Sequence, residues 1–285
     1  VIVTQTVLYD SEQGVATITL NRPERLNTMG GDLIERALEA VERAASDKAT
    51  RVVIVTGAGR GFCAGGDLDA MSRRGAGAGS GDAGAGAGTG TVARGRDPLM
   101  HDANVRLLRG FMRTSQLLME MGKVTIAAIN GACAGAGLAL ACACDLRFSA
   151  AGAKFNVAFR NAGLSGDFGG TWTLPRIVGP AKARELYLMS PRFDATEAVR
   201  IGLVSKVLPD TELMPHVKAV AAELAAAAPL ALTLMKQNLN DSLRLSFGEL
   251  LDREAERHTQ AVATEDHIEA AKAFLEKRKP SFKGR

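Results

Sequence analysis

The residues in this chain best suited to chemistry are one carboxylate among glycines and two glycine-rich turns. Asp167 stands in Gly163-Leu164-Ser165-Gly166-Asp167-Phe168-Gly169-Gly170-Thr171-Trp172, ahead of a helical run. An acid in such apolar company can take up and return a proton, because loss of solvent favours its neutral form. The same spacing fits an N-cap for the following helix, and by residue type alone that structural role is the commoner one. The two turns are Cys63-Ala64-Gly65-Gly66-Asp67-Leu68 and the run from Asn130 through Gly135-Ala136-Gly137 to Leu138. Each follows an expected strand, and the second leads into a helix. Small side chains leave the backbone N–H groups uncovered there, so two such turns together can donate to a developing oxyanion.

Other chemistries lack support. In Gly57-Ala58-Gly59-Arg60-Gly61-Phe62 the third glycine of a dinucleotide fingerprint falls on Phe62, and there is no phosphate-loop G-x-x-x-x-G-K-[ST] run. Cys63, Cys133, Cys142 and Cys144 form no C-x-x-C pair, which argues against zinc and disulfides and suits a reducing, cytoplasmic setting. His101, His216, His258 and His267 have no ligand spacing and read as surface residues; Met235 reads as core filler and Trp172 as a buried anchor. The formal net charge of +4 is spread along the chain, too diffuse for a nucleic-acid surface. Val1 to Val7 lacks a basic region, a long apolar region and a cleavage site, so no secretory signal is expected.

These groups must be positioned by a framework that the periodicities outline. Alternation over Val15–Leu20 predicts a strand stopped by Asn21-Arg22-Pro23; Leu33, Ala37, Leu38, Val41, Ala44 and Ala45 recur at helical spacing; Val52–Thr56 is a continuous apolar strand. Strand, helix, strand in that order predicts an α/β fold. Val124 to Cys144 reaches the membrane-spanning length, but it is built of Ala, Gly and Cys and broken by Gly131, Gly135 and Gly137. It reads as a buried strand, a glycine turn and a buried helix. Short strands are expected at Leu146–Ser149 and Lys154–Val157, and helices dominate from Gly170, the last capped by Thr264. The organisation expected is a core over 1–209, interrupted at 75–95 by a Gly/Ala-rich insertion that is a passive linker or a lid, and a helical region over 210–285.

Together these stretches resemble the crotonase, or enoyl-CoA hydratase/isomerase, superfamily. The resemblance is carried by ITLNRPERLNTM at Ile18 to Met29, RVVIVTGAGRGFCAGGDL ending at Leu68, NGACAGAGLALACACD at Asn130 to Asp145, GLVSKVLP at Gly202 to Pro209 and AKAFLEKRKPSFKG at Ala271 to Gly284. It covers nearly the whole chain apart from the insertion. It implies a spiral of ββα units with a C-terminal helical region used in homotrimers, often paired as hexamers. It also implies a shared step in which an acyl-CoA thioester becomes an enolate held by two peptide N–H groups, those of Gly66 and Ala136. No metal or separate cofactor is implied, coenzyme A entering with the substrate, and neither nucleic acid nor membrane is an expected partner.

The chain departs from the hydratase pattern, whose two water-positioning glutamates fall on Ala139 and Phe159. Asp167 instead falls where some relatives, including dienoyl-CoA isomerases and the ring-epoxide isomerase of phenylacetyl-CoA degradation, place an aspartate acid/base. The reading implied is an isomerase that moves a proton with Asp167. The alternatives are hydration of a 2-enoyl-CoA, or a CoA-binding scaffold without turnover. By the same resemblance coenzyme A is held near Arg22 and Arg25, with Ala64, Asp67, Leu68 and Gly135 along its path. Phe159 and Phe168 lie beside the acyl group, and Lys277 and Lys283 reach the phosphates. Those two lysines read equally well as a solvated basic helix end, and Phe159 as plain core.

Overall fold

The computed structural model describes residues 5–67 and 98–285. Leu68 and the 75–95 insertion therefore lie outside the described residues. Val7–Glu12 (β1) and Val15–Leu20 (β2) form an antiparallel hairpin, joined by Gln13 and Gly14, both left-handed (φ 49° and 81°), the geometry that matches the twist of paired strands. β1 has no periodic signature: Val7 and Tyr9 are half-buried and its last three residues are exposed. β2 buries Ala16, Ile18 and Leu20, as its alternation requires. Leu33–Ser46 (α1) buries one apolar face, including Leu33, Ala37, Val41 and Ala44.

From there each unit sends one strand to each of two sheets. Val52–Gly57 (β3) enters the first and Gly61–Cys63 (β4) the second, followed by helices Pro98–Phe111 (α2) and Arg113–Glu120 (α3). Val124–Ile129 (β5) and Ala132–Ala134 (β6) repeat the move before helix Ala136–Ala143 (α4); Leu146–Ala150 (β7) and Lys154–Asn156 (β8) repeat it before Gly170–Val178 (α5) and Pro180–Met189 (α6). Phe193–Asp194 (β9), Ala195–Arg200 (α7) and Lys206–Leu208 (β10) finish the sheets. The first has the order β1-β2-β3-β5-β7-β10, parallel from β2 onward, and the second β4-β6-β8-β9. This is the crotonase spiral. Where the chain passes between sheets, the corners touch backbone to backbone: a Cβ on Gly57 would sit 2.1 Å from the Gly61 carbonyl, and one on Gly131 2.1 Å from that of Arg60.

Four further helices follow, Leu213–Ala226 (α8), Pro229–Asp241 (α9), Phe247–Val262 (α10) and Glu265–Leu275 (α11). α8 lays Leu213, Val217, Ala221 and Ala225 on Val52, Ile54, Ile126 and Phe148, while Val53, Val55, Ala127 and Ile129 face the second sheet. Both faces of β3 and β5 are covered, which is why their sequences are unbroken apolar runs. Val124 to Cys144 resolves into β5, β6 and α4. Among the described residues no single helix is long and apolar enough to cross a membrane.

Three side chains depart from the sequence reading. Trp172 is 38% exposed rather than buried, its ring covered by the Arg176 guanidinium 3.9 Å from the centroid. Met235 is 58% exposed on α9, lining an open groove with Leu251 and Ala255 of α10 rather than filling the core. His216 is half-buried, edge-on to Phe148 at 5.2 Å. α9 is anchored instead by the buried Lys236, which donates to the Leu118 and Lys123 carbonyls (2.9 and 3.0 Å) and to Asp145 Oδ2 (2.8 Å). Lys236→Met leaves those acceptors without their cation and is expected to cost about 3 kcal/mol, read as a lowered urea midpoint at unchanged slope.

Candidate active site

The first turn leaves the end of β4 and is braced by the segment between β2 and α1. Ala64 N–H donates to the Leu26 carbonyl (3.0 Å) and Met29 N–H to that of Gly65 (2.7 Å), with Gly65 left-handed at φ 89°. The buried Asn27 side chain donates to the Ala58 and Gly61 carbonyls (3.0 and 2.7 Å), and Asn130 donates to those of Gly59 and Gly61 (3.0 and 3.2 Å). Met29 and Gly66 form a parallel bridge, yet the Gly66 amide itself donates to no backbone carbonyl among the described residues. The second turn opens α4. Gly135 (φ 52°) is its N-cap and is tied to the Asn156 carbonyl (3.1 Å), and Ala136 is the first helical residue, so its amide has no acceptor within the helix. The two turns touch: a Cβ on Gly65 would lie 2.9 Å from the Ala134 carbonyl oxygen, and one on Gly137 would lie 2.2 Å from that of Cys63.

Asp167 approaches from a loop with unusual backbone. Gly166, Phe168 and Gly169 have φ of 122°, 48° and 76°. A left-handed phenylalanine is costly and persists here because its ring is fully buried. The N-cap of α5 is Gly169, with no side-chain cap; Asp167 contributes only its carbonyl, which accepts from Gly170 N–H at 3.1 Å. The capping expectation for Asp167 is thus corrected: its side chain is turned away from the helix and into the protein. There Oδ1 is buried without a hydrogen-bond partner, and desolvation pushes the carboxyl up to about 6. Burial raises the Cys63 thiol, at the root of the first turn, and the Tyr187 phenol, and the Asp167 charge reaches both and adds to the rise. The remaining wall is apolar: Ala139 and Phe159 are 3% and 6% exposed, and Phe159 stacks on Tyr187 with centroids 6.2 Å apart.

The residues expected along the coenzyme path divide. Arg22 donates to the Gly30 and Thr28 carbonyls (2.6 and 3.2 Å) and lies 3.7 Å from Asp67, while Arg25 pairs with Asp67 at 3.2 Å. Asp67 is buried, so its carboxylate works as a tether for the bracing segment. Ala64, half-buried, and Gly135 sit in the turns themselves. Lys283 is not brought to the site of its own chain. Its backbone N–H donates to the buried Asp266 (2.6 Å), and the neighbouring Phe282 carbonyl accepts from Arg51 (3.4 Å), just before β3. The turns follow the opposite end of that strand, about 20 Å away at roughly 3.3 Å per residue. Lys277 is exposed where α11 ends. Sequence reasoning passed over Asn27 and Tyr187. A buried asparagine that satisfies corner carbonyls and a tyrosine inside a helix carry no local signal of function. All four cysteines are free and buried, with Cys63 and Cys144 pushed up to about 12 and Cys142 to about 11.

A ββα spiral that brings two uncommitted amides and a desolvated acid together defines a class of acyl-transforming enzymes, and the comparisons with known proteins agree. The enoyl-CoA hydratase/isomerase family profile matches residues 10–85 and 86–285, and the chain belongs to that family of enzymes acting on acyl-CoA thioesters. It is 35% identical over 281 residues to the 1,2-epoxyphenylacetyl-CoA isomerase of Escherichia coli K12, covering 98% of each chain. It is 32% identical over 279 residues to the crotonyl-CoA hydratase of Syntrophomonas wolfei, with the same coverage. A solved enoyl-CoA hydratase from Bacillus anthracis superposes with a TM-score of 0.84 at 29% identity, over 99% of this chain and all of that one.

Two outcomes follow from this geometry. Gly137→Ala drives a methyl group into the Cys63 carbonyl; it is expected to cost about 1–3 kcal/mol of stability and, by separating the turns, about 10²–10³ in turnover, checked by denaturation and steady-state assay. Burial disfavours the Asp167 carboxylate, so this destabilisation is full above pH about 6, declines as pH falls through the window to the ordinary 3.8, and is absent below it. Asp167→Asn should therefore raise the unfolding free energy at pH 7–8, by no more than about 3 kcal/mol at roughly 1.4 kcal/mol per pKa unit, seen as a higher melting temperature, and give no gain at pH 3.5.

Proposed function

We propose that the enzyme is an acyl-CoA isomerase in which Asp167 removes a proton from carbon beside the thioester carbonyl and returns it to another carbon of the same acyl group. The C–H electron pair moves into the enolate, whose oxygen accepts from the Gly66 and Ala136 amides. Asp167 carries the proton until the conjugated carbanion collects it elsewhere, so the double bond has migrated and no atom is gained. The observation that carries this reading is the Asp167 carboxylate, whose buried Oδ1 has no hydrogen-bond partner among the described residues, in the neighbourhood of the two glycine turns with their open amides. Residues Ala139 and Phe159 offer no second acid to orient water. One group can lift and replace a proton, whereas hydration asks it to activate water and protonate carbon together. The identity to an isomerase over 98% of the chain supports the same choice, and that to a crotonyl-CoA hydratase keeps water addition as the second reading.

We read the exposed apolar side chains of the C-terminal helices, Phe247 (77%), Phe274 (83%) and Leu275 (80%), as surface covered in a homotrimer or hexamer. In such an assembly Lys277 and Lys283, remote from or unlinked to the site of their own chain, become available to a neighbour's coenzyme.

The test is solvent-deuterium incorporation into a panel of enoyl-, dienoyl- and arylacetyl-CoA thioesters, followed by mass spectrometry and NMR. Wild type should exchange or migrate the double bond, and Asp167→Asn should lose about 10²–10⁴ of that rate. Because the base acts ionised, kcat/KM should climb through pH about 6 and then level. Hydration of crotonyl-CoA by wild type far above Asp167→Asn would establish the second reading instead. Binding with no exchange would mark a non-catalytic CoA-binding protein.

A further inference from the structure

The Tyr187 hydroxyl is left over once the Asp167 mechanism has been assigned. Its ring is locked between the Phe159 stack and the backbone of α5: a Cβ on Gly170 would lie 2.6 Å from Oη, and one on Gly166 4.0 Å. The phenol end therefore sits over the two glycines that flank Asp167. It borders a void of about 10 Å³, shared with Gly135 of the second turn, Ala139, Phe159 and Gly170. That is roughly room for a single water-sized atom. Oη makes no hydrogen bond among the described residues, and Asp167 Oδ1, whose charge reaches the phenol, makes none either.

Asp167 Oδ1, buried without a partner, needs a reason, since a polar atom desolvated and left unpaired is costly, and the half-buried Tyr187 hydroxyl within reach of its charge is unpaired too. Had they served each other, a hydroxyl-to-carboxylate bond would already be formed, and burial would strengthen it. No such bond joins them, and Tyr187 instead borders the void beside Gly135 of the second turn. Asp167 faces the proton it moves, and Tyr187 offers one donor in walls of Ala139, Phe159 and Leu174. Water wants two to four polar partners and finds few here. An oxygen that only accepts, as in an ether, epoxide or ketone, is satisfied by one.

We infer that Tyr187 is a specificity-determining residue whose hydroxyl donates to an acceptor oxygen on the acyl group, so that the preferred substrates are oxygen-bearing acyl-CoA thioesters rather than pure hydrocarbon ones. This rests on the acyl-CoA reading of the site but not on Asp167 being the base. A site built around a hydrogen bond discriminates against the analogue that lacks it, because its own polar group is then left unpaired. Tyr187→Phe removes the donor and keeps the ring in its stack.

The experiment is calorimetric binding of cyclohexylacetyl-CoA and of the three tetrahydropyranylacetyl-CoA isomers, in which one ring methylene is replaced by oxygen, to wild type, Tyr187→Phe and Asp167→Asn. Wild type should bind at least one oxygen-bearing isomer about tenfold tighter than the hydrocarbon, equivalent to roughly 1.4 kcal/mol. Tyr187→Phe should bring that ratio to about one while binding the hydrocarbon at least as well, which also shows that it is folded. Asp167→Asn should retain the preference. A wild type without the preference, including one that binds none of the four, overturns the inference, as does a preference that survives in Tyr187→Phe. Because binding is read without turnover, failure of the isomerase reading would appear separately, as deuterium exchange that Asp167→Asn leaves intact.

Discussion

The site depends on a contact in which no side chain takes part. The end of β4 and the start of α4 meet backbone to backbone, so closely that a methyl on Gly137 would lie 2.2 Å from the Cys63 carbonyl oxygen. That approach sets the Gly65-Gly66 and Gly135-Ala136 turns against each other, and their two uncommitted amides are useful as a pair only if they converge. Glycine is the residue that allows it, by lacking Cβ at Gly137 and by accepting left-handed backbone at Gly65 and Gly135.

Much of the fold serves to hold that contact. The segment from Arg22 to Met29 does no chemistry in this reading, yet it hydrogen-bonds the first turn at Ala64 and Gly65, with Arg22 and Arg25 tied to Asp67. Asn27 and Asn130 satisfy carbonyls of the Gly57–Gly61 corner, which would otherwise be left unpaired inside the protein. The second turn is tied through Gly135 to Asn156 at the end of β8. Parallel strands delivered in successive ββα units thus end in turns that brace one another, which gives the amides fixed directions before any substrate arrives.

Against that rigid pair the Asp167 loop contributes tension. A buried, left-handed Phe168 and a desolvated carboxyl without a partner both raise the energy of the folded chain. In the proposed reaction that stability is given up where the proton would move, because an acid solvated like a surface aspartate would hold its proton too weakly for transfer near neutral pH. The neighbouring Tyr187 phenol, raised by burial and by the Asp167 charge, stays a neutral donor beside it.

What the sequence determined by itself is what local pattern encodes. Alternation in Val15–Leu20, helical spacing from Leu33 and the unbroken run at β3 predict their elements because one or both faces must be buried. The glycine turns are legible because nothing else tolerates their geometry. Asp167 was visible as an acid in apolar company, though not whether it capped a helix or faced the interior; left-handed Gly169 took the cap, and that depends on how Phe168 packs. Tertiary structure alone decided the rest. It placed Tyr187, remote in sequence from the turns, over Gly166 and Gly170, and it tied Arg22 and Arg25 to Asp67. It also held Lys283 at the far end of β3 and left Trp172 and Met235 partly in solvent. Desolvation, ion pairing and burial depend on which distant segments meet, and periodicity within one segment carries no record of that meeting.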